Sequence, residues 1–281
     1  MNTVRAALAA AGKRLPASEA RLLLGHVVDR PAVWLIAHDD EVLDEAVLLR
    51  FASLVARRKG GEPVAYLLGY REFYGREFAV SPDVLIPRPE TELLVDLALA
   101  QKVGAGGTVK GAATGAARIL DLGTGSGCIA ITLALEIPSA QVSAVDASEA
   151  ALDVTRRNAE RLGASLRLLR SDWFDSLTGE CFDLIVANPP YIAESDSHLD
   201  AGDLRHEPRR ALASGPDGLD AIRRIVAAAP RHLTPGGRIW LEHGYDQADA
   251  VHELLAAAGL CEIEQHRDVA GIVRVSGGRR L

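Results

Sequence analysis

The residues best suited to chemistry stand four in a row, Asn188-Pro189-Pro190-Tyr191. They follow Phe182-Asp183-Leu184-Ile185-Val186-Ala187, an apolar run whose length and β-branched content predict a buried strand. Neither proline has an N–H for a sheet ladder, so the strand must end there. Asn188 then projects from a strand's carboxyl end, where open α/β sheets hold their ligands. Its side-chain oxygen and the neighbouring Asn or Pro189 carbonyl are acceptors, with a tyrosine ring close by. Two acceptors and an aromatic face suit a planar –NH2 group, holding both hydrogens while covering the plane. The alternative is a strand-to-loop turn with no chemistry, and the tetrapeptide alone does not choose.

Upstream, Ala117-Arg118-Ile119-Leu120-Asp121-Leu122 reads as another buried strand running into Gly123-Thr124-Gly125-Ser126-Gly127, and Cys128 to Leu135 as a helix packed on the sheet. Glycines there permit a tight turn and close approach of backbone to a ligand. A dinucleotide fingerprint needs a third glycine three places after Gly125, where the chain has Cys128. The acidic Asp121 ahead of the turn is badly placed for a pyrophosphate and well placed for a cationic amino-acid group. That combination favours S-adenosylmethionine over a nicotinamide dinucleotide. The strand Gln141 to Val145 ends in Asp146, roughly 20 residues past the turn, where an acid usually binds ribose hydroxyls. A third strand, Ser165 to Arg170, leads to Ser171-Asp172-Trp173, an acid and an aromatic suited to an adenine amino group and ring. Singly, Asp146 could cap a helix and Trp173 fill a core. Ligand-type residues at successive strand ends favour the cofactor reading.

With these residues in view the chain resembles the HemK/PrmC glutamine methyltransferases. The resemblance rests on Ile86-Pro87-Arg88-Pro89-Glu90-Thr91-Glu92, the Asp121 to Gly127 turn, Asn188-Pro189-Pro190-Tyr191-Ile192, Glu207-Pro208 and Glu242-His243-Gly244, in order along nearly the whole chain. It implies methyl transfer from S-adenosylmethionine to the side-chain amide nitrogen (N5) of the glutamine in the Gly-Gly-Gln motif of peptide chain release factors. Catalytic residues would be Asn188, Pro189, Pro190 and Tyr191. Cofactor ligands would be Asp121, Gly123, Thr124, Gly125, Ser126, Gly127, Asp146, Asp172, Trp173 and Asn188. The tetrapeptide is shared with adenine-N6 and guanine-N2 nucleic-acid methyltransferases, and a ribosomal protein is an alternative glutamine substrate. His206 stands where the family pattern leads one to expect an aromatic, and Val103 to Ala117 is an unusually Gly/Ala-rich insertion.

Composition bears on the elements that must position these groups. The 281 residues, 48% hydrophobic and 25% charged, are those of an ordinary globular chain. A net charge of −7 is the wrong sign for neutralising many phosphates, so no nucleic-acid target is expected. A local basic patch stays compatible with that charge, since Arg205, Arg209 and Arg210 cluster near the proposed site. No stretch reaches membrane-spanning length, and the amino terminus lacks a leader pattern. Cys128, Cys181 and Cys261 are isolated and the histidines form no metal motif, so a metal-free, reducing, cytoplasmic protein is the expectation.

Helical periodicity over Thr3–Ala11, Ser18–Val28, Ala32–Ala37 and Leu43–Arg58 predicts a small all-α bundle, residues 1–69, for substrate recognition. Residues 70–86 read as a β-hairpin linker centred on Gly75. Residues 87–281 read as a Rossmann-like α/β methyltransferase domain with a seven-stranded sheet, opened by a helix over Glu90–Val103 and closed by an antiparallel pair, Cys261–Gln265 with Ile272–Ser276. Residues 104–116 are expected to form a flexible surface loop, and the aperiodic 193–214 a lid. His243 tempts as a base but reads better as a structural histidine, and Arg88 as a structural partner of a carboxylate.

Overall fold

The computed structural model describes residues 2–101 and 116–281. All of the expected insertion loop but Ala116 lies outside them, as does the carboxyl end of the helix expected to reach Val103. The described chain forms two compact units, Met1–Tyr70 with Ala201–His206, and Arg71–Asp200 with Glu207–Leu281.

In the first unit the helices are α1 (Val4–Ala11), α2 (Ala17–Val28), α3 (Ala32–Ala37), α4 (Glu45–Lys59) and α5 (Val64–Leu68). Side-chain caps start two of them: Thr3 accepts from the Ala6 N–H and Asp44 from the Val47 N–H. One apolar face of each helix meets in a core that includes Val4, Leu23, Leu24, Leu35 and Phe51. Arg58 of α4 ties the unit together. It pairs with Glu19 of α2 at 2.7 Å and with Asp203 at 2.6 Å, and these carboxylates hold its guanidinium protonated.

The second unit begins with a hairpin, β1 (Tyr70–Phe73) and β2 (Arg76–Ala79), closed by Tyr74-Gly75. Both turn residues have positive φ, 52° and 70°, the geometry that matches the twist of a two-residue hairpin. A single turn, Pro89–Thr91, leads into α6 (Glu92–Ala100). Then follow β3 (Arg118–Leu122), α7 (Cys128–Glu136), β4 (Gln141–Asp146), α8 (Glu149–Leu162), β5 (Arg167–Arg170) and β6 (Phe182–Ala187). The last part comprises α9 (Asp220–His232), β7 (Leu233–Glu242), α10 (Ala248–Ala257), β8 (Cys261–Arg267) and β9 (Val273–Arg279). The seven-stranded sheet of the described residues runs β5-β4-β3-β6-β7-β9-β8. It is parallel except at β9, which is antiparallel to β7 and β8.

This order creates a switch point between β3 and β6, where the winding reverses and a crevice opens at the carboxyl ends. Leu122 of β3 stands opposite Val145 of β4 and Ala187 of β6, so Gly123, Asp146 and Asn188 follow at one level. Layers on both faces of the sheet are apolar and buried, around Ile119, Leu184 and Trp240 on one and Leu120, Ile185 and Leu241 on the other. The stretch 193–214 contains single helical turns at Ser197–Asp200, Leu204–His206 and Arg209–Ala211 instead of continuous coil. The segment Leu233-Thr234-Pro235-Gly236-Gly237 forms the start of β7, with a register shift between Phe182 and Leu184 of the paired β6.

Asn158 of α8 fastens the glycine turn. Its amide nitrogen donates to the carbonyls of Ala79 (3.0 Å) and Ser126 (2.9 Å), and its oxygen accepts from the Ala79 N–H at 2.8 Å. The residue is wholly buried. Replacing Asn158 with Ala strands these buried backbone groups and is expected to cost about 1–3 kcal/mol. The check is a denaturant titration; an unchanged midpoint contradicts this fastening.

Candidate active site

The crevice holds a cavity of about 360 Å³ in the second unit. The glycine turn forms its floor. Gly123, Gly125 and Gly127 have φ of 73°, 56° and 83°, a region L-residues enter at a cost. At Gly127 a Cβ would stand 2.7 Å from Thr155 and 2.8 Å from Ile131, so only glycine lets the turn seat on α8. Thr155 also donates its hydroxyl to the Gly125 carbonyl at 2.9 Å.

Asp146 lines the cavity from the end of β4. Its two oxygens accept from the Gly125 N–H (3.0 Å) and the Ser148 N–H (2.8 Å), leaving further lone pairs for a ligand's hydroxyls. Ser148, not Asp146, caps α8, accepting from the Ala151 N–H at 3.2 Å. Trp173 forms a wall: a Cβ on Gly123 would come within 3.4 Å of its ring, so the bare glycine leaves the aromatic face uncovered. Its backbone sits at φ 52°, and Ser171 donates its hydroxyl to the Trp173 carbonyl at 2.9 Å. Asp172 lines the cavity and is paired with Arg224 of α9 at 2.9 Å, a partner with no signal in the sequence. A carboxylate, an exposed aromatic face and an open backbone turn are the donor set a nucleoside bearing a cationic amino-acid tail requires.

Asp121 differs from its expected place. It is not on the cavity wall but fully buried beneath the turn, where its Oδ2 accepts the Thr124 hydroxyl at 2.7 Å. Its Oδ1 has no partner among the described residues. Burial pushes its carboxyl up to about 7, against the Thr124 and Ala130 hydrogen bonds and helped by the Asp146 charge. Cys128 lines the cavity as a buried neutral thiol, pushed up to about 12 by burial.

Asn188, Pro190 and Thr91 meet on the same cavity wall. Asn188 donates from Nδ2 to the Thr91 hydroxyl oxygen at 3.0 Å, while its Oδ1 is buried and has no partner among the described residues. Pro189 and Tyr191 lie behind this wall. Nothing in the sequence assigns the Tyr191 hydroxyl a role, yet it donates to Glu242 Oε1 at 3.3 Å. Burial and that carboxylate raise the phenol further above its ordinary value. Glu242, at the end of β7, is itself buried, and burial pushes its carboxyl up to about 7 despite hydrogen bonds from Thr91 and Tyr191.

The two most distinctive segments join here. Arg88 pairs with Glu207, whose fully buried carboxylate also accepts from the Ile86 N–H at 2.9 Å. His243 is a buried structural residue, bonded to the Gly244 carbonyl (2.9 Å) and Ser276 hydroxyl (2.8 Å), and burial lowers its basicity. Arg210 lines the cavity and reaches Ser148, Arg209 turns to Asp200, and Arg205 belongs to the first unit, bonded to the Gly60 carbonyl. No metal-holding cluster occurs among the described residues.

The Asp121 carboxyl has a direct consequence for stability. Its folded value lies above its unfolded one, so its contribution is full below the ordinary carboxylate range and is lost as pH rises through about 7. Asp121→Asn, which cannot ionise, should therefore gain stability over the wild type as pH rises from about 4 to about 7. Thermal unfolding of both proteins across that window checks this, and a constant difference contradicts it.

Residues 1–69 match the family described as PrmC N-terminal domain, and residues 109–215 that described as Methyltransferase small domain. A Bordetella pertussis protein named release factor glutamine methyltransferase is 53% identical over 94% of this chain and 95% of its own. A Burkholderia pseudomallei protein of the same name is 51% identical over 99% of each. Among solved structures, a Pyrococcus furiosus methyltransferase has a TM-score of 0.53 at 19% identity, covering 82% of this chain and 98% of that one. A T. thermophilus 16S rRNA N2 methyltransferase, solved with AdoMet and guanosine, has a TM-score of 0.54 at 22% identity, covering 75% of this chain and 50% of that one. Those structures share the fold, whereas the first two relatives match over nearly the whole chain. The chain belongs to the release factor glutamine methyltransferase family.

Proposed function

We propose that this protein methylates the side-chain amide nitrogen of the Gly-Gly-Gln glutamine in peptide chain release factors, using S-adenosylmethionine. The carrying observation is the Asn188 amide: the residue lines the cavity, its nitrogen is engaged by Thr91, and its buried oxygen has no partner among the described residues. Such an oxygen is completed by an N–H donor, and a primary amide brings two.

The cofactor supplies a methyl group made electrophilic by a sulfonium. Asp146 would hold its ribose hydroxyls, Asp172 and Trp173 its adenine, and the Gly123 to Gly127 turn above Asp121 its amino-acid tail. The residues of this chain face a different difficulty, since an amide lone pair is delocalised into its carbonyl and is a poor nucleophile. Asn188 Oδ1 and the Pro189 carbonyl would each accept one N–H of the glutamine, fixing the nitrogen and favouring pyramidalisation as positive charge develops. Tyr191, held behind by Glu242, stiffens this wall and keeps water from it. No strong base is required: a methylated amide nitrogen still carrying its extra proton is acidic enough to give it to water or a carbonyl.

The helical unit serves recognition in this reading. Leu22, Val33, Ile36 and Leu49 present apolar side chains at 50%, 70%, 65% and 65% exposure, and Val33 and Ile36 share one face of α3. Action on release factors puts the protein in the cytoplasm. Among the described residues no helix is long and apolar enough to cross a membrane.

Asn188→Ala should lower single-turnover methylation by about 10²–10³ while cofactor affinity changes little. Asp146→Ala should do the converse, weakening cofactor binding by about 1–3 kcal/mol in calorimetry. A near-wild-type rate for the first variant refutes the tetrapeptide's role. For recognition, a Val33→Glu/Ile36→Glu variant should raise KM for intact release factor at least about tenfold, losing the apolar burial of two side chains. It should leave KM for a short Gly-Gly-Gln peptide unchanged; equal effects on both substrates contradict a recognition face.

A further inference from the structure

An asparagine amide is nearly symmetric in shape and opposite in function at its two ends. Only with Oδ1 toward the cavity can Asn188 accept from a substrate –NH2; turned by half a rotation it would present a second donor and repel it. Something must set this orientation, and the backbone does not.

Thr91 is placed to do so. It stands at the start of α6, where a threonine hydroxyl ordinarily caps the helix, yet it makes no capping bond. It is buried, and its oxygen instead accepts from Asn188 Nδ2 at 3.0 Å. A hydroxyl has one proton to give, and the buried Glu242 carboxyl beside Thr91 is placed to take it when ionised. Glu242 is buried too, and its Oε1 also accepts from Tyr191 at 3.3 Å. While Glu242 is ionised, the chain of donors runs one way, from Asn188 to Thr91 to Glu242. Reversing Asn188 would set its oxygen against a threonine oxygen with no proton left to offer.

We propose that Thr91 and Glu242 are positioning residues that fix the amide of Asn188 with its oxygen toward the substrate. This rests on the functional reading above and adds residues to it. Neither touches the substrate; they act through Asn188. Gln247 steadies the other end of the tetrapeptide, donating to the Tyr191 carbonyl at 2.9 Å, but it has no path to the Asn188 amide.

The test uses the full-length protein, a Gly-Gly-Gln peptide and three variants. Thr91→Val keeps the shape and removes the hydroxyl. It should lower kcat by about 10–100-fold, the usual cost of losing a group that orients a reacting one. Cofactor affinity should stay within about twofold. Thr91→Ser, which restores the hydroxyl, should return kcat to within about threefold of wild type. In an Asn188→Ala background Thr91→Val should cost less than about twofold, because there is no amide left to orient. Glu242→Met, which removes the acceptor, should lower kcat and show the same lack of additivity with Thr91→Val. Full kcat in Thr91→Val, equal losses in the Val and Ser variants, or an undiminished loss in the Asn188→Ala background each overturns the proposal. If Asn188→Ala alone keeps full turnover, the functional reading itself has failed; if it loses turnover while Thr91→Val does not, only this inference has.

Discussion

A buried amide oxygen without a partner costs about 1–3 kcal/mol, and among the described residues Asn188, which lines the central crevice, keeps one. The cost is borne at the site and offset by the core around it. What makes the arrangement useful is that the other half of the same amide is satisfied, through Thr91, by a carboxylate sealed in the protein. An acceptor poised in this way offers a hydrogen-bond vacancy of defined direction. The glutamine amide is a weak nucleophile, so direction and charge complementarity are what the protein can contribute to its reaction.

The scaffold's features converge on that vacancy. Parallel register brings the ends of β3, β4 and β6 to one level, and the order reversal between β3 and β6 leaves the crevice open above them. Asn158, Thr155 and Asp121 then hold the glycine turn from three sides, so backbone too mobile by composition is fixed by side chains of α8 and β3. Behind the wall, Gln247 spans the Tyr191 and Asp217 carbonyls and the Gly244 N–H. At Gly218 an added Cβ would stand 2.2 Å from the Tyr191 carbonyl oxygen, so that contact too depends on a bare glycine. Each of these contacts supports a residue that would face the ligand.

Much of this was legible in the sequence because it is local. The strand cut short by Pro189 and Pro190, the Gly123 to Gly127 turn and the hairpin at Gly75 are written in adjacent residues, and the fold class follows from the alternation of strands and helices. What escaped is held by pairs distant along the chain. Thr91 and Asn188 are 97 residues apart, Ala79 and Asn158 79, and Ile86 and Glu207 121. No periodicity links such partners, and a buried polar residue looks the same in sequence as an exposed one. The reverse error came from reading proximity in sequence as proximity in space. Arg205, Arg209 and Arg210 are neighbours in the chain, but single helical turns send them to Gly60, Asp200 and Ser148. The charge of Asp121 points toward a cationic group; its burial and its bond to the Thr124 hydroxyl beneath the turn are not written in the sequence.

The central claim is that Asn188 Oδ1 accepts the amide hydrogen of the substrate glutamine. A crystal structure with S-adenosylhomocysteine and a Gly-Gly-Gln peptide measures this directly. The account predicts the glutamine nitrogen at hydrogen-bond distance, about 2.7–3.2 Å, from Asn188 Oδ1, with Nδ2 still on Thr91. A glutamine nitrogen bonded elsewhere, or an Asn188 whose Oδ1 has turned to Thr91, would contradict it.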